Sequence, residues 1–362
     1  MKIILSISFI VLLFQGCGGG GGSEKSTSAL INNNSTNNEV LFEDKYLSQQ
    51  WYLKRNTLFY SFNSIANNAH INPSIYLKNY SGKGVRIAII DDGFDVNHED
   101  LKGAVNNTYD LSSKSTNVSQ NSNESHGTAV SGIIGARDNK LGIKGIASNS
   151  QLIFLKHKRQ MSDSETIELF NKAEEFKADI INCSWGTYNV SAAVRNKIVN
   201  LANNGRNGKG TIIVFSSGNE SKNMGNDESN IPEVISVAAT NKDNLLTSYS
   251  NYGVNLDLVA PGGEYLGITT LDDSGLKGKS SIDENYMLFN DSNRFTGTSA
   301  AAPIVTGVIA LMLEKNPNLT RIEVENLLKN SSDKIGTYSY ENGRNNYYGF
   351  GKINLTSLMQ SF

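Results

Sequence analysis

Residues 85–101 read VRIAIIDDGFDVNHEDL, and the first six form an apolar run interrupted only by Arg86. A run of this kind suits a strand buried on both faces, because a half-buried strand alternates apolar with polar residues. Three further runs repeat the pattern: DIINCSW at 179–185, TIIVFSS at 211–217 and VISVAA at 234–239. Helical periods lie between them. SDSETIELFNKAEEFKA at 162–178 opens with Ser162 and Glu165 in the spacing of a capping box, and it brings Ile167, Phe170, Ala173 and Phe176 near one face. SAAVRNKIVNLANNG at 191–205 closes on Gly205, and TRIEVENLLKN at 320–330 repeats the box with Thr320 and Glu323. The alternation predicts an α/β fold of three layers, a mostly parallel central sheet with helices on both faces, and ligands at the carboxyl ends of the strands. The Asn/Ser-rich stretch 105–125 and the irregular stretch 262–294 read as long surface loops.

The chain has 362 residues, of which 38% are apolar, enough for one large core or two modest ones. Its net charge of -2 gives no global bias towards nucleic acid, and KHKR at 156–159 is too short for a basic patch and reads as a solvated loop after a strand. The N-terminus, MKIILSISFIVLLFQGC, carries one lysine and then an apolar stretch shorter than the roughly 20 residues that span a bilayer. Residues 1–16 therefore read as a signal peptide. FQGC resembles the bacterial lipoprotein processing site, which places the cut before Cys17 and acylates it; residues 17–40, beginning CGGGGGS, form a flexible tether. The expected location is the bacterial cell envelope, with the protein held to a membrane by its lipid. Cys183, in the apolar run IINCSW, then has no partner for a disulfide and reads as a small buried hydrophobe.

Four residues stand where this architecture would put chemistry. Asp91 ends the strand VRIAII, and Gly93 lets the chain turn sharply behind it. His126 opens HGTAVSGIIGA, a close-packed helix; Asn219 lies in FSSGNES just past a buried strand; Ser299 lies in FTGTSAAAP at 295–303, which runs on as IVTGVIALMLEK. Pro303 places Ser299 near a helix start, where free amides and a partial positive charge suit a developing anion and a proline's missing N–H costs no bond. Each residue alone has a plainer reading: a turn cap for Asp91, a core histidine for His126, a loop residue for Asn219, a tight helix start for Ser299. His98 in NHEDL is a rival imidazole that reads as loop structure, and Asp92 is a rival carboxylate that points to the opposite face from Asp91.

Taken in order, IIDDGFDVNHEDL, HGTAVSGIIGA, FSSGNES and TGTSAAAP resemble the four signature stretches of subtilisin-like serine proteases, with INCSWG and DLVAPGG between them. The resemblance runs from about residue 44 to the C-terminus and makes residues 41–362 a catalytic domain. It implies a serine endopeptidase in which Asp91, His126 and Ser299 form the triad and the Asn219 amide joins the Ser299 N–H in the oxyanion hole. It sets Ser184, Trp185 and Gly186 beside the pocket for the substrate residue before the cut. Asp227 and Glu228 fall where the pocket floor would lie, which would give a basic preference.

The resemblance also implies a structural calcium ion. RDNKLGIKGIA at 137–147 matches the family's calcium loop, with Asn139 and the carbonyls of Arg137, Leu141 and Ile143 as ligands and Asp100 as the carboxylate. Asp44 matches the upstream aspartate of the kexin and proprotein-convertase branch, which DKYLSQQWYL and the second acid of DDG also resemble. That branch carries acidic residues after SWG, whereas Thr187, Tyr188 and Asn189 stand here, so dibasic specificity is not implied. The expected partners are a polypeptide substrate and a membrane, with no nucleic acid and a monomeric state. About 25 residues between Cys17 and the catalytic domain are too few for a packed pro-domain, so the domain folds unaided or a separate inhibitor or chaperone restrains it. A catalytically silent binding lipoprotein on the same fold is the alternative.

Overall fold

A computed structural model of the chain describes residues 43–53, 55–73, 75–120 and 124–362. The signal peptide, Cys17 and the linker read from the sequence lie outside the described residues. Seven strands form one parallel sheet: β1 (Arg86–Asp91), β2 (Val105–Asp110), β3 (Gln151–Lys156), β4 (Ile180–Cys183), β5 (Ile212–Ser216), β6 (Ile235–Thr240) and β7 (Leu258–Pro261). Their spatial order is β2-β3-β1-β4-β5-β6-β7. Two short strands, β8 (Thr270–Leu271) and β9 (Tyr286–Met287), pair antiparallel outside it. The helices are α1 (Thr57–Phe62), α2 (Tyr76–Asn79), α3 (His126–Gly135), α4 (Asp163–Glu175), α5 (Ala192–Asn204), α6 (Thr298–Lys315), α7 (Arg321–Ser331) and α8 (Leu355–Gln360).

The central strand explains the layering. Successive side chains of a strand point to opposite faces, and β1 is buried on both. Ile87 and Ile89 enter the core that holds α3 and α6, while Ala88 and Ile90 enter the core that holds α4 and α5. Helices thus cover the sheet on both sides, as the sequence predicts. Capping boxes at Ser162–Glu165 and Thr320–Glu323 start α4 and α7. Trp51 and Tyr52, far upstream of β1, are also fully buried in the α3/α6 core, and the Trp51 indole donates to the Gly267 carbonyl at 2.8 Å.

Several local expectations need correction. Residues 105–110 are not loop but the edge strand β2, paired with β3 along one side only; an edge tolerates Asn106, Asn107 and Thr108 because half of its surface stays outside the core. The stretch 262–294 likewise contains β8 and β9. Lys156 of KHKR is a strand residue, buried, ion-paired to Glu124 at 2.9 Å and donating to the Ser119 carbonyl at 2.7 Å.

Pro303 is the sixth residue of α6, inside the helix, where an ordinary residue would donate to the Ser299 carbonyl. The proline leaves that acceptor free, and the Ser184 hydroxyl donates to it at 3.2 Å. Ser184 is held in turn by Asn182 Nδ2 at 3.0 Å, and Asn182 Oδ1 accepts from the Thr306 hydroxyl at 2.8 Å. A buried polar chain therefore pins α6 to the end of β4. Breaking one link strands a buried polar group at a cost of about 1–3 kcal/mol. α6 is long and apolar enough to cross a membrane, but it is buried almost throughout and serves as the central core helix.

Candidate active site

The parallel sheet brings the carboxyl ends of β1, β4 and β5 to one edge, and the candidate residues sit there. Asp91 is the last residue of β1, Ser184 follows β4, Asn219 comes three residues after β5, His126 opens α3, and Ser299 is the second residue of α6. Gly127 allows the close seating of α3, since a Cβ there would fall onto the Gly93 carbonyl and within 3.0 Å of Asp91 Cβ.

That seating places His126 Nδ1 2.7 Å from Asp91 Oδ1. Asp91 is 2% exposed, its Oδ1 also accepts from the Asp92 N–H at 2.9 Å, and its Oδ2 is buried without a hydrogen bond. The imidazole is half-buried. Burial alone lowers its pKa, but the charge and hydrogen bond of Asp91 outweigh this, with Asp92 adding to them, and hold it above the ordinary 6.5. Asp92 bonds not the ring but the backbone beside it, accepting from the Gly127 N–H at 3.1 Å at the start of α3. Burial and the adjacent Asp91 push its carboxyl up to about 6. The other imidazole, His98, is fully buried and structural: Nε2 meets the Asn285 carbonyl at 2.9 Å and Nδ1 accepts from the Asp100 N–H at 3.1 Å.

Ser299 is 8% exposed, and its hydroxyl donates to the Ser184 carbonyl at 3.0 Å. Among the described residues no hydrogen bond joins it to His126. Asn219 is fixed through its oxygen, which accepts from the Thr298 N–H at 2.9 Å and the Thr298 hydroxyl at 3.0 Å, so Nδ2 remains available as a donor. Gly297 supports this approach with φ of 120°, a conformation that side chains rarely adopt.

Ser184, Trp185, Gly186, Asn219 and Ser299 line one cavity of about 250 Å³, together with Tyr188 and Asp227 among others. Trp185 is partly buried against the core; its indole donates to the Ile90 carbonyl at 2.9 Å and packs edge-on against Phe215. Asp227 lines the cavity with its oxygens already engaged by the Tyr188 N–H and by Ser229. Glu228 does not line it; its carboxylate is turned to Thr187, which donates through its N–H and hydroxyl.

The six metal candidates gather around one loop. Asp44 Oδ1 accepts from the Lys140 N–H at 2.7 Å, Asp100 Oδ2 from the Ile143 N–H at 3.0 Å, and the Asp100 carbonyl from the Arg137 N–H at 2.8 Å. Asn139 Oδ1 accepts from the Leu141 N–H, and the Leu141 carbonyl from the Lys45 N–H. Asp100 Oδ1 is buried without any hydrogen bond, and burial together with the charges of Asp138 and Asp100 pushes Asp44 up to about 6. Two under-compensated carboxylates beside several carbonyls fit a hard cation. Among the described residues no cluster of three or more His, Cys, Asp or Glu side chains could hold a metal, so carbonyls must complete any such site. The sequence reading missed Tyr286, whose ring covers Gly142 of this loop and whose hydroxyl donates to Glu99 at 2.8 Å.

The Subtilase family model matches residues 82–351. The chain belongs to the subtilase family. This subtilase is 33% identical over 343 residues to a calcium-dependent protease of Nostoc sp., an alignment covering 86% of the chain and 51% of that relative. The chain thus spans about half the length of that relative. It is 28% identical over 295 residues to subtilisin of Bacillus pumilus, covering 80% of the chain and 95% of the relative. In fold it resembles the serine protease of Aeromonas sobria solved in complex with a chaperone, with a TM-score of 0.75 and 21% identity over 88% of the chain and 66% of that structure.

The electrostatics of the subtilase site set a measurable expectation. In an NMR pH titration the His126 imidazole should titrate above 6.5, and Asp91→Asn should move the midpoint down; a midpoint at or below 6.5 in the unmodified protein contradicts the geometry.

Proposed function

We propose that this subtilase is a serine endopeptidase that hydrolyses peptide bonds with Ser299 as nucleophile, His126 as general base and acid, and Asp91 as the group that orients and charges the imidazole. The 2.7 Å hydrogen bond between His126 and Asp91, at the same carboxyl edge of the sheet as Ser299, carries this reading. The Ser299 hydroxyl turns from the Ser184 carbonyl to His126 Nε2 as substrate enters; catalytic hydrogen bonds commonly tighten only then. Its oxygen attacks the scissile carbonyl carbon while Nε2 takes the proton. The carbonyl electron pair moves onto oxygen, where the Asn219 Nδ2 and Ser299 N–H groups meet it. Collapse expels the amine with the proton from Nε2 and leaves an ester on Ser299. Water, deprotonated by the same imidazole, then releases the acid.

Ser299→Ala should abolish hydrolysis of a peptide substrate with no loss of folded structure by circular dichroism. Asn219→Ala should cost about 10² to 10³ in turnover, the figure measured in subtilisin itself. Undiminished cleavage by purified Ser299→Ala contradicts the assignment of the nucleophile, whereas no cleavage by the unmodified protein favours a silent binding protein.

A calcium ion is proposed for the loop of Asp44, Asp100 and residues 137–143, supported by the orphaned Asp100 oxygen and by the name of the Nostoc relative. Bound there, it would supply charge that ties the segment of Asp44 to the loop. Chelator should lower the melting temperature, and an unchanged value counts against the site.

Tethering to the bacterial envelope through acylated Cys17 is part of the proposal, on the strength of FQGC and the glycine run behind it. A separate chaperone or inhibitor is proposed by analogy with the Aeromonas sobria complex. A basic substrate preference is favoured by Asp227, which lines the cavity at 3% exposure. Lys peptides should then be cut faster than Leu or Phe peptides, and indifference to Lys removes this reading.

A further inference from the structure

Tyr188 is a bulky residue held at φ of 61°, in the left-handed region that disfavours a side chain. Three contacts keep it there. Its N–H donates to Asp227 Oδ2 at 2.8 Å, its hydroxyl donates to Glu220 Oε1 at 2.6 Å, and Lys222 Nζ lies 4.5 Å from the ring centroid. Gly186 makes the first contact accessible, because a Cβ there would stand 2.5 Å from the same Asp227 oxygen.

Glu220 is itself clamped. Its other oxygen, Oε2, accepts from Asn251 Nδ2 at 2.7 Å, while Asn251 Oδ1 accepts from the Glu220 and Lys222 N–H groups at 3.0 Å each. Asn251 is 1% exposed, so the acceptor for the phenol is anchored in the body of the domain. Burial alone would raise the Glu220 carboxyl, and the bonds from Tyr188 and Asn251 outweigh it and hold it below its ordinary value.

Tyr188 lines the cavity beside Ser299, and Glu220 follows directly on Asn219, which also lines it. The lining comes largely from two segments, 184–188 and 216–219, the second of which leads directly into Glu220. The half-exposed phenol, bonded to Glu220, is thus a bar between the two lining segments. The cavity volume of about 250 Å³ does not of itself exclude an aromatic ring.

We infer that Tyr188 is a specificity-determining residue whose hydrogen bond to Glu220 narrows the cavity mouth, so that the enzyme accepts a long unbranched side chain before the scissile bond and disfavours an aromatic one. The inference rests on the endopeptidase reading and adds the substrate class of its pocket. Strain at Tyr188 is then a cost of holding the bar in place, offset by the three contacts.

The test compares kcat/KM for two peptides that differ only in carrying Met or Phe before the cut, both neutral, so charge does not enter. The unmodified protein should favour Met. Tyr188→Phe keeps the ring and loses the bond; Tyr188→Gly removes the ring and suits the left-handed backbone, so it folds. Both should raise Phe relative to Met, by about tenfold or more for the glycine variant, the scale on which hydrophobic pockets discriminate. Glu220→Gln retains an acceptor for the phenol and should keep the Met preference. Unchanged ratios in both Tyr188 variants, or equal losses on both peptides, overturn the latch while leaving the peptidase reading intact. An unmodified protein that cuts a Lys peptide but neither of these overturns the latch alone, and one that cuts none of the three overturns both.

Discussion

The hydrogen bond between His126 and Asp91 is a constraint on the whole domain, because its two ends belong to elements that have no local reason to meet. Asp91 ends a strand buried on both faces, and His126 opens a helix reached only after an edge strand and a long connection. A 2.7 Å contact between them fixes how α3 sits on the sheet, and it requires Gly127 and Gly93 to let backbone approach backbone. The same bond raises the imidazole against the effect of burial and occupies only one of its two nitrogens. Fold and chemistry therefore share one geometric requirement.

The second constraint lies at the start of α6. A helix that begins with small residues and carries a proline at its sixth position leaves one carbonyl without its helical partner. Ser184 fills the gap, and the chain from Ser184 through Asn182 to Thr306 anchors the helix at two places to the end of β4. Ser299 thus stands on rigid elements, with its hydroxyl near the only motion the proposed chemistry asks for. Asn219 is fixed by its oxygen for a similar reason: an amide whose acceptor is already engaged can only present its donors.

Much of this is legible in the sequence. The runs VRIAII and TIIVFSS suit strands with apolar neighbours on both sides, which is what they form, and the Ser162 and Thr320 boxes mark helix starts through local hydrogen bonds that need no tertiary information. The four candidate residues are likewise visible, since each sits where a short motif must turn the chain. What stayed hidden depends on contacts across the fold. Val105–Asp110 is polar enough to read as loop, and it is a strand because β3 offers it a ladder. Lys156 is buried because Glu124 is near it in space. Pro303 reads as harmless at a helix start only until the count of turns shows which carbonyl it abandons. Glu228 leaves the pocket because Thr187 engages it, a pairing with no trace in either motif.

The central claim is that Ser299 is made nucleophilic by the imidazole that Asp91 holds. Labelling by a fluorophosphonate probe, followed by mass spectrometry to locate the adduct and by rate measurement across pH, tests it most directly. The account requires a single adduct on Ser299, formed at a rate that falls with acid along the His126 titration and nearly vanishes in His126→Ala. No adduct, an adduct on another serine, or a rate indifferent to His126→Ala would contradict it.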